Sequence, residues 1–272
     1  MDDDLAAVLD VLKFRLWPNP AHRYNAELAI NELDRLAGCC GLVATALAID
    51  QTVTRYRNAG NSDATINRKL SFFRKLIGGA LEAGYIREAP RVDRLPESSK
   101  AQPVLSEDQI NRALALLEVI DREAFQLIAF LADSGATIKE ALALRWSDIT
   151  YRHVTFWSAT GYARTIPLTQ RASKALTFRP DLPQGPFSAV KLRELRVNWR
   201  RSQIDAGVQA PISPSGLRYS CEARLVKQGV DTKSIHRWLG YRTPRTSLRF
   251  PTSDDLRGVQ TVLESGRAQE RR

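Results

Sequence analysis

Cysteine and long apolar runs are both scarce in this sequence, and each shortage excludes a class of protein. The three cysteines are the adjacent pair Cys39 and Cys40 and the distant Cys221. An odd number without the spacing of metal ligands argues against a disulfide framework and against a zinc site, and it fits a reducing compartment. We therefore predict no metal site and no cofactor.

No apolar run approaches the length that a membrane-spanning helix requires. Residues 1–4 are acidic, whereas a secretory signal begins with basic residues. We therefore expect a protein that is neither exported nor embedded in a membrane. The expected location is a reducing cytoplasm.

Acidic residues are outnumbered by basic ones. Forty lysines and arginines stand against thirty aspartates and glutamates, which gives a formal net charge of +10 and a pI near 9.8. This excess favours a polyanionic partner, because basic groups release counterions and steer such a partner from a distance. Double-stranded DNA is the first candidate and an anionic membrane surface the second. The ordinary hydrophobic content of 43% predicts a folded globular chain.

Periodicity divides the chain into four segments. Residues 1–20 contain an amphipathic helix that docks on a neighbouring subunit or, in the preferred interpretation, on the chain's own core. Residues 21–90 show helical spacing throughout and predict a domain of three or four helices. Residues 91–102 are polar and aperiodic and predict a linker. Residues 103–272 form a second domain.

Within the first domain, one helix follows the N-cap residue Ser62. Its apolar stripe is opposed by a face with four basic residues, which are Arg68, Lys69, Arg74 and Lys75. Such a face is either a solvated helix surface or a DNA-facing one, and the net charge of the chain keeps both interpretations open.

The second domain is predicted to be helical with one small sheet. Ser106 and Gln109 have the spacing of a capping box, which marks the start of a helix. The period changes to alternation at residues 153–157 and 164–168, which predicts a β-hairpin. The predicted fold class is therefore mainly α with a small antiparallel β-sheet.

A basic helix is predicted over residues 191–206, and its Arg196, Arg200 and Arg201 suggest a surface that follows DNA phosphates. The tail from Asp254 is predicted to be a short helix that docks on another subunit or remains solvated.

Four segments, residues 61–70, 134–149, 160–168 and 215–250, stand in an order and spacing that resemble a known family. The family is that of the tyrosine recombinases, also called phage integrases. The resemblance covers about the whole chain from His22 onward. It implies a helical, SAM-like core-binding domain over residues 21–90 and a catalytic-type domain over residues 103–272.

The resemblance also implies a chemistry. In the family, a tyrosine hydroxyl attacks a phosphodiester and forms a 3′-phosphotyrosine. Two arginines clamp the nonbridging oxygens, and a lysine on the hairpin protonates the leaving 5′-oxygen. Two positions of histidine type donate or exchange protons.

When the family's catalytic positions are mapped onto this sequence residue by residue, most of them hold a different type of residue. The first arginine, the hairpin lysine, the two histidine-type groups and the nucleophile correspond to Thr137, Ala159, Ser215, Tyr241 and Phe250. Only the second arginine, Arg218, is retained. A phenyl ring has no attacking oxygen, so Phe250 predicts that strand cleavage is lost.

The sequence therefore predicts a pseudoenzyme that binds double-stranded DNA, with Arg218 and Tyr241 among its contacts. It would act as a transcriptional regulator or as an accessory factor beside an active recombinase of a mobile element or prophage. It would form a homo-oligomer on DNA through its tail. Two alternatives remain: a recombinase whose nucleophile has moved to Tyr241 or Tyr219, and a relic without a role. Arg218 would otherwise pair with Glu140 or Glu222.

Overall fold

The computed structural model describes residues 4–38, 41–97, 102–157, 163–241 and 256–269. The chain divides into two compact units, Met1–Lys100 and Ala101–Arg272. The described residues are mostly helical and include one two-stranded antiparallel sheet, which confirms the predicted fold class. Among the described helices, none is both long and apolar enough to cross a membrane.

The first unit is helical throughout its regular structure. Its helices are α1 (Leu5–Leu16), α2 (Pro20–Ala37), α3 (Leu42–Leu47), α4 (Ile49–Asn58) and α5 (Asp63–Glu82). The α1 helix packs against α2 and α5 and buries its apolar face, so it lies on its own core. The helical spacing predicted throughout residues 21–90 is interrupted at Ala48, which separates α3 from α4.

The N-terminus of α5 is fixed by local chemistry. The Ser62 side chain accepts a hydrogen bond from the Thr65 amide, as expected for an N-cap. The helix buries Ile66, Leu70 and Phe73 in the core of the unit. Residues 92–97, which belong to the predicted linker, pack back onto α5, and Val92 is buried there.

The described part of the second unit contains eight α-helices, two short 3-10 helices and the hairpin. In chain order the α-helices and strands are α6 (Glu107–Ile120), α7 (Arg122–Ser134), α8 (Ile138–Leu142), β1 (His153–Trp157), β2 (Ala163–Pro167), α9 (Gln170–Ala175), α10 (Leu192–Asp205), α11 (Leu217–Lys227), α12 (Thr232–Leu239) and α13 (Arg257–Gln269). The predicted capping box at Ser106 and Gln109 is present and begins α6. The strands pair antiparallel, with Phe156 opposite Arg164.

The α7 helix is the centre of this unit and is buried along nearly its whole length. It packs against α6, α9 and α11. It ends at Gly135, whose φ of 57° lies in the left-handed region that favours glycine. A Cβ atom at this position would lie 2.3 Å from the Leu239 side chain. This close approach places the end of α7 beside the end of α12.

The tail helix α13 packs on its own unit, against α11 and α12. Its apolar side chains Val259 and Leu263 are buried, as is Leu256 just before it, and the Gln260 side chain donates to the Leu168 carbonyl at 2.8 Å. The expectation of a solvated tail is therefore wrong for these residues, whereas docking on another subunit stays a prediction. The apolar face is covered within the same chain.

Candidate functional site

Thr137 caps a short helix. Its hydroxyl accepts a hydrogen bond from the Glu140 amide at 3.2 Å, and the Glu140 carboxylate accepts from the Thr137 amide at 2.7 Å. These two bonds form a capping box at the start of α8. The position that the resemblance assigns to a phosphate-clamping arginine therefore satisfies backbone groups of a helix.

Glu140 has a second partner on the hairpin. Arg164 donates from Nε and from Nη2 to the two oxygens of Glu140, each at 3.2 Å. Its Nη1 donates to the Trp238 carbonyl at 2.6 Å, and its guanidinium lies 4.2 Å from the centre of the Phe156 ring. Burial would raise the pKa of Glu140, but the Arg164 charge and hydrogen bonds outweigh it and lower that pKa.

The adjoining turn leaves no room for a side chain. Gly240 follows α12 with a φ of 74°, and a Cβ atom there would lie 2.5 Å from Arg164 Cδ. Glycine is therefore required both by the left-handed backbone and by the arginine that lies against it.

Arg218 supports the same turn. Its Nη1 donates to the Gly135 carbonyl and its Nη2 to the Leu239 carbonyl, both at 2.6 Å. The guanidinium lies 4.7 Å from the centre of the Tyr241 ring. Arg218 therefore donates to backbone carbonyls, whereas its two alternative partners, Glu140 and Glu222, accept hydrogen bonds from Arg164 and Tyr241.

The Tyr241 hydroxyl donates to Glu222 at 2.8 Å, and its ring meets His236 edge to face. Burial, followed by the hydrogen bond to Glu222, raises the pKa of Tyr241. The phenol is therefore protonated near neutral pH, which makes it a weak nucleophile unless Glu222 accepts its proton.

The remaining predicted positions are exposed or lie outside the described residues. Ser215 is exposed in a short 3-10 turn, and Tyr219 is 43% exposed on α11. Ala159 and Phe250 lie outside the described residues. Within the described part of the chain, no group of three or more His, Cys, Asp or Glu side chains is placed to hold a metal ion.

A cluster of buried ion pairs lies at the end of α7. Asp133 is fully buried at the end of α7 and accepts from Arg171 at 2.7 Å and from Arg224 at 3.4 Å. The same two arginines pair with Glu107 on α6. The Asp133 backbone carbonyl accepts from the Trp238 indole at 3.1 Å. The cluster thus links the last residues of α7 to α12 as well as to α6 and α11.

The basic residues predicted on α10 are solvent-exposed. Arg196, Arg200 and Arg201 are exposed, whereas Leu195 and Trp199 on the opposite face are buried. Arg193 extends the exposed face toward the N-terminus of the helix. Among the described residues, only Arg201 of these four forms an ion pair, a 3.6 Å contact with Asp205.

The basic residues predicted on α5 have several intramolecular contacts. Lys69 pairs with Glu32 at 2.6 Å, and Lys75 donates to the Leu16 carbonyl at 2.6 Å. Arg74 donates to the Val92 carbonyl at 3.3 Å. Arg68 is exposed and has no ion pair with any described residue. These contacts compete with DNA for three of the four predicted side chains.

Comparison with known proteins finds relatives that are named tyrosine recombinases. No family model matches the chain. Tyrosine recombinase XerC 1 of Ralstonia nicotianae is 26% identical, over 96% of this chain and 92% of its own length. Tyrosine recombinase XerC of Xanthomonas campestris pv. campestris is 24% identical, over 81% of this chain and 73% of its own length. The chain is therefore similar in sequence to tyrosine recombinases over most of its length.

Solved tyrosine recombinases have the same fold. A lambda integrase dimer bound to a COC′ core site is similar with a TM-score of 0.74 and 16% identity, over 90% of this chain and 100% of that one. The Tn1549 transposon integrase in complex with circular intermediate DNA is similar with a TM-score of 0.67 and 16% identity, over 95% of this chain and 99% of that one. At this level of identity the likeness is one of fold.

The structure brings together four of the residues that the sequence singled out: Thr137, Glu140, Arg218 and Tyr241. Arg164, which sequence reasoning did not select, connects Glu140 to the Trp238 carbonyl, and Arg218 binds the next carbonyl, that of Leu239. A signal for it was available: alternation along β2 places Arg164 on the same inward face as Ile166. An arginine at an inward strand position requires a buried acceptor.

Proposed function

We propose that this protein binds double-stranded DNA in a sequence-specific manner and does not cleave it. Bound at its site in the bacterial cytoplasm, it would regulate transcription as a repressor. Alternatively, it would act as an accessory factor beside an active recombinase of the same mobile element or prophage. Because a lambda integrase dimer occupies a core site, we also propose assembly as a homo-oligomer on DNA.

The exposed arginine face of α10 carries the DNA-binding part of the proposal. Arg193, Arg196 and Arg200 recur at i, i+3 and i+7, which aligns them on one side of the helix. None of the three has an ion pair with a described residue. Guanidinium groups in such a row suit successive backbone phosphates, and the net charge of +10 supports attraction from a distance.

The absence of cleavage rests on the replaced chemistry. Thr137 is a helix cap, and both Nη atoms of Arg218 donate to backbone carbonyls. The sequence has Ala159 and Phe250 where the family resemblance implies a general acid and a nucleophile. Groups that act as a unit in catalysis are rarely rescued by one neighbour.

The Tyr241–Glu222 pair favours a second candidate, a recombinase with a relocated nucleophile. A phenol 2.8 Å from a carboxylate has an acceptor for its proton, which is the arrangement that an activated nucleophile needs. The exposed Tyr219 is the other phenol near Arg218. The raised pKa of Tyr241 and the replacement of the first arginine by Thr137 weigh against this candidate.

Duplex fragments captured from a genomic library would supply the DNA site for one decisive experiment. We expect a mobility shift that weakens steeply with added salt, and no covalent adduct on a nicked version of the same site. Lack of a shift on every captured duplex would contradict DNA binding. An adduct would establish the second candidate, and its loss in Tyr241→Phe but not in Tyr219→Phe would identify the nucleophile.

A further inference from the structure

A basic cavity lies within the first unit, between α5 and the extended segment 92–97. Its volume is about 300 Å³. The lining residues are Ala64, Asn67, Arg68, Ser71, Arg74, Arg94 and Glu97. Three of these seven side chains carry a guanidinium and one carries a carboxylate, so the cavity has an excess of positive charge.

Asn67 is a residue of α5, and it holds in place the segment 92–97, which forms the opposite wall of the cavity. Its side-chain Oδ1 accepts from the Leu95 amide at 2.8 Å, and its Nδ2 donates to the Leu95 carbonyl at 2.9 Å. The sequence places Asn67 on the polar face of α5, yet it is only 5% exposed because this segment covers it. The bond from Arg74 to the Val92 carbonyl holds the same segment at a second point.

An internal carboxylate already contacts donors of the cavity. Glu97 Oε1 accepts from Asn67 Nδ2 at 2.7 Å and from Arg94 Nη2 at 2.8 Å. The hydrogen bond from Arg94, followed by that from Asn67, lowers the pKa of Glu97. Glu97 is therefore negatively charged near neutral pH, and its oxygen lies where a phosphate oxygen would accept from the same donors.

We propose that this cavity binds one backbone phosphate of DNA, and that Glu97 is an internal anion that the phosphate displaces. Arg68 and Arg94 would donate to the phosphate from opposite walls, because charged N–H groups bind phosphate oxygens strongly. The assignment to DNA rests on the proposed function, whereas the site itself would accept any phosphate group. Contact with DNA would then separate Glu97 from the arginine that holds it.

Glu97→Gln is the informative variant, because the amide keeps the shape and one acceptor oxygen but removes the charge. Glu88→Gln is the matched control, since Glu88 is an exposed acid of the same unit that does not line the cavity. Both variants change the net charge equally. A general electrostatic effect would therefore be the same in the two proteins.

The first measurement uses inorganic phosphate and the side-chain NMR signals of the full-length protein. We expect phosphate to shift the Nε–H signals of Arg68 and Arg94 and the Nδ2 signals of Asn67. It should bind Glu97→Gln about tenfold more tightly than wild type, because a like charge has been removed from the site. Equal or weaker binding by Glu97→Gln, or shifts confined to other residues, would overturn the proposal.

The second measurement uses a duplex that contains the captured site. We expect Glu97→Gln to bind it several-fold more tightly than Glu88→Gln does. If neither the wild type nor either variant binds DNA, the proposed function fails. The phosphate titration still decides in that case whether the cavity holds an anion. If DNA binds both variants equally, the cavity does not contact the backbone, and the assignment to DNA is overturned.

Discussion

Arg164 joins parts of the second unit that are far apart in the sequence. Its partners Glu140 and Trp238 lie 24 and 74 residues away, and all three contacts involve charged N–H groups. The residue is only 8% exposed. Removing its carboxylate partner would leave a buried charge with only a carbonyl and a ring beside it, which is costly.

We predict that Glu140→Gln lowers the free energy of unfolding by about 3 kcal/mol near neutral pH. Denaturant titration measures this loss. Glu194→Gln is the control, because Glu194 pairs with Lys191 on an exposed surface, and its loss should cost less than about 1 kcal/mol. Equal losses in the two variants would show that the buried pair contributes nothing beyond a surface contact.

The difference in free energy of unfolding between wild type and Glu140→Gln should depend on pH, because the pKa of Glu140 is lowered in the folded protein. In the unfolded chain this group titrates at its ordinary value of 4.5, and in the folded protein it titrates below that value. The stabilisation is therefore complete above pH 4.5 and is lost as the pH falls through the folded-state pKa. The difference between wild type and Glu140→Gln should shrink in that acid range.

At the scale of secondary-structure elements, helix starts were predictable where local side chains fix them. Ser62 and Ser106 cap α5 and α6 as their sequences predict. The end of α3 at Leu47 was not predictable, because no glycine, proline or side-chain cap marks Ala48. The break depends on packing within the first unit, which periodicity does not encode.

The candidate site was predictable in its positions and not in its contacts. The order of motifs indicated Thr137, Glu140, Arg218 and Tyr241, and these residues or their neighbours do meet. Their partners could not be read from spacing, since each is set by the approach of separate elements. Arg218 contacts the carbonyl of Gly135, which is 83 residues away.

Four helices meet at Asp133. Its carboxylate and that of Glu107 neutralise Arg171 and Arg224, so α6, α7, α9 and α11 are connected through buried charges. Such a cluster is favourable only while it is complete, because a single removal leaves an uncompensated ion in a medium of low dielectric. Asp133 is therefore the position in this unit where a small change in charge has the largest expected cost.

We predict that Asp133→Asn lowers the free energy of unfolding by about 3–5 kcal/mol, measured by denaturant titration. Asp108→Asn provides the control, since Asp108 pairs with Arg112 on the surface and should contribute less than about 1 kcal/mol. A change at Asp133 as small as that at Asp108 would mean that the remaining residues rearrange to compensate.

At the scale of the whole molecule, an excess of ten positive charges raises non-specific attraction to DNA, so a change in affinity alone would not locate a contact surface. The salt dependence of binding is more informative. Its slope counts the phosphates that basic side chains neutralise. Charges that only contribute to the distant field leave this slope nearly unchanged.

We predict that replacing Arg193, Arg196 and Arg200 together by Gln reduces the slope of log Kobs against log salt by about one for each phosphate that these side chains neutralise in the wild type. Filter binding over a range of salt concentrations measures it. The control replaces Arg87, Arg122 and Lys174, three exposed basic residues outside α10, by Gln. A slope that falls equally in both variants would place the phosphate-binding surface elsewhere.

The capping box at Thr137 bears on whether the proposed loss of chemistry can be reversed in evolution. A mutation to arginine at this position would remove the side chain that caps α8, at a cost of about 1 kcal/mol. The new guanidinium would also find Glu140 already bound to Arg164. Under the proposed loss of cleavage, this first reversion would therefore lower stability before it supplied a phosphate clamp.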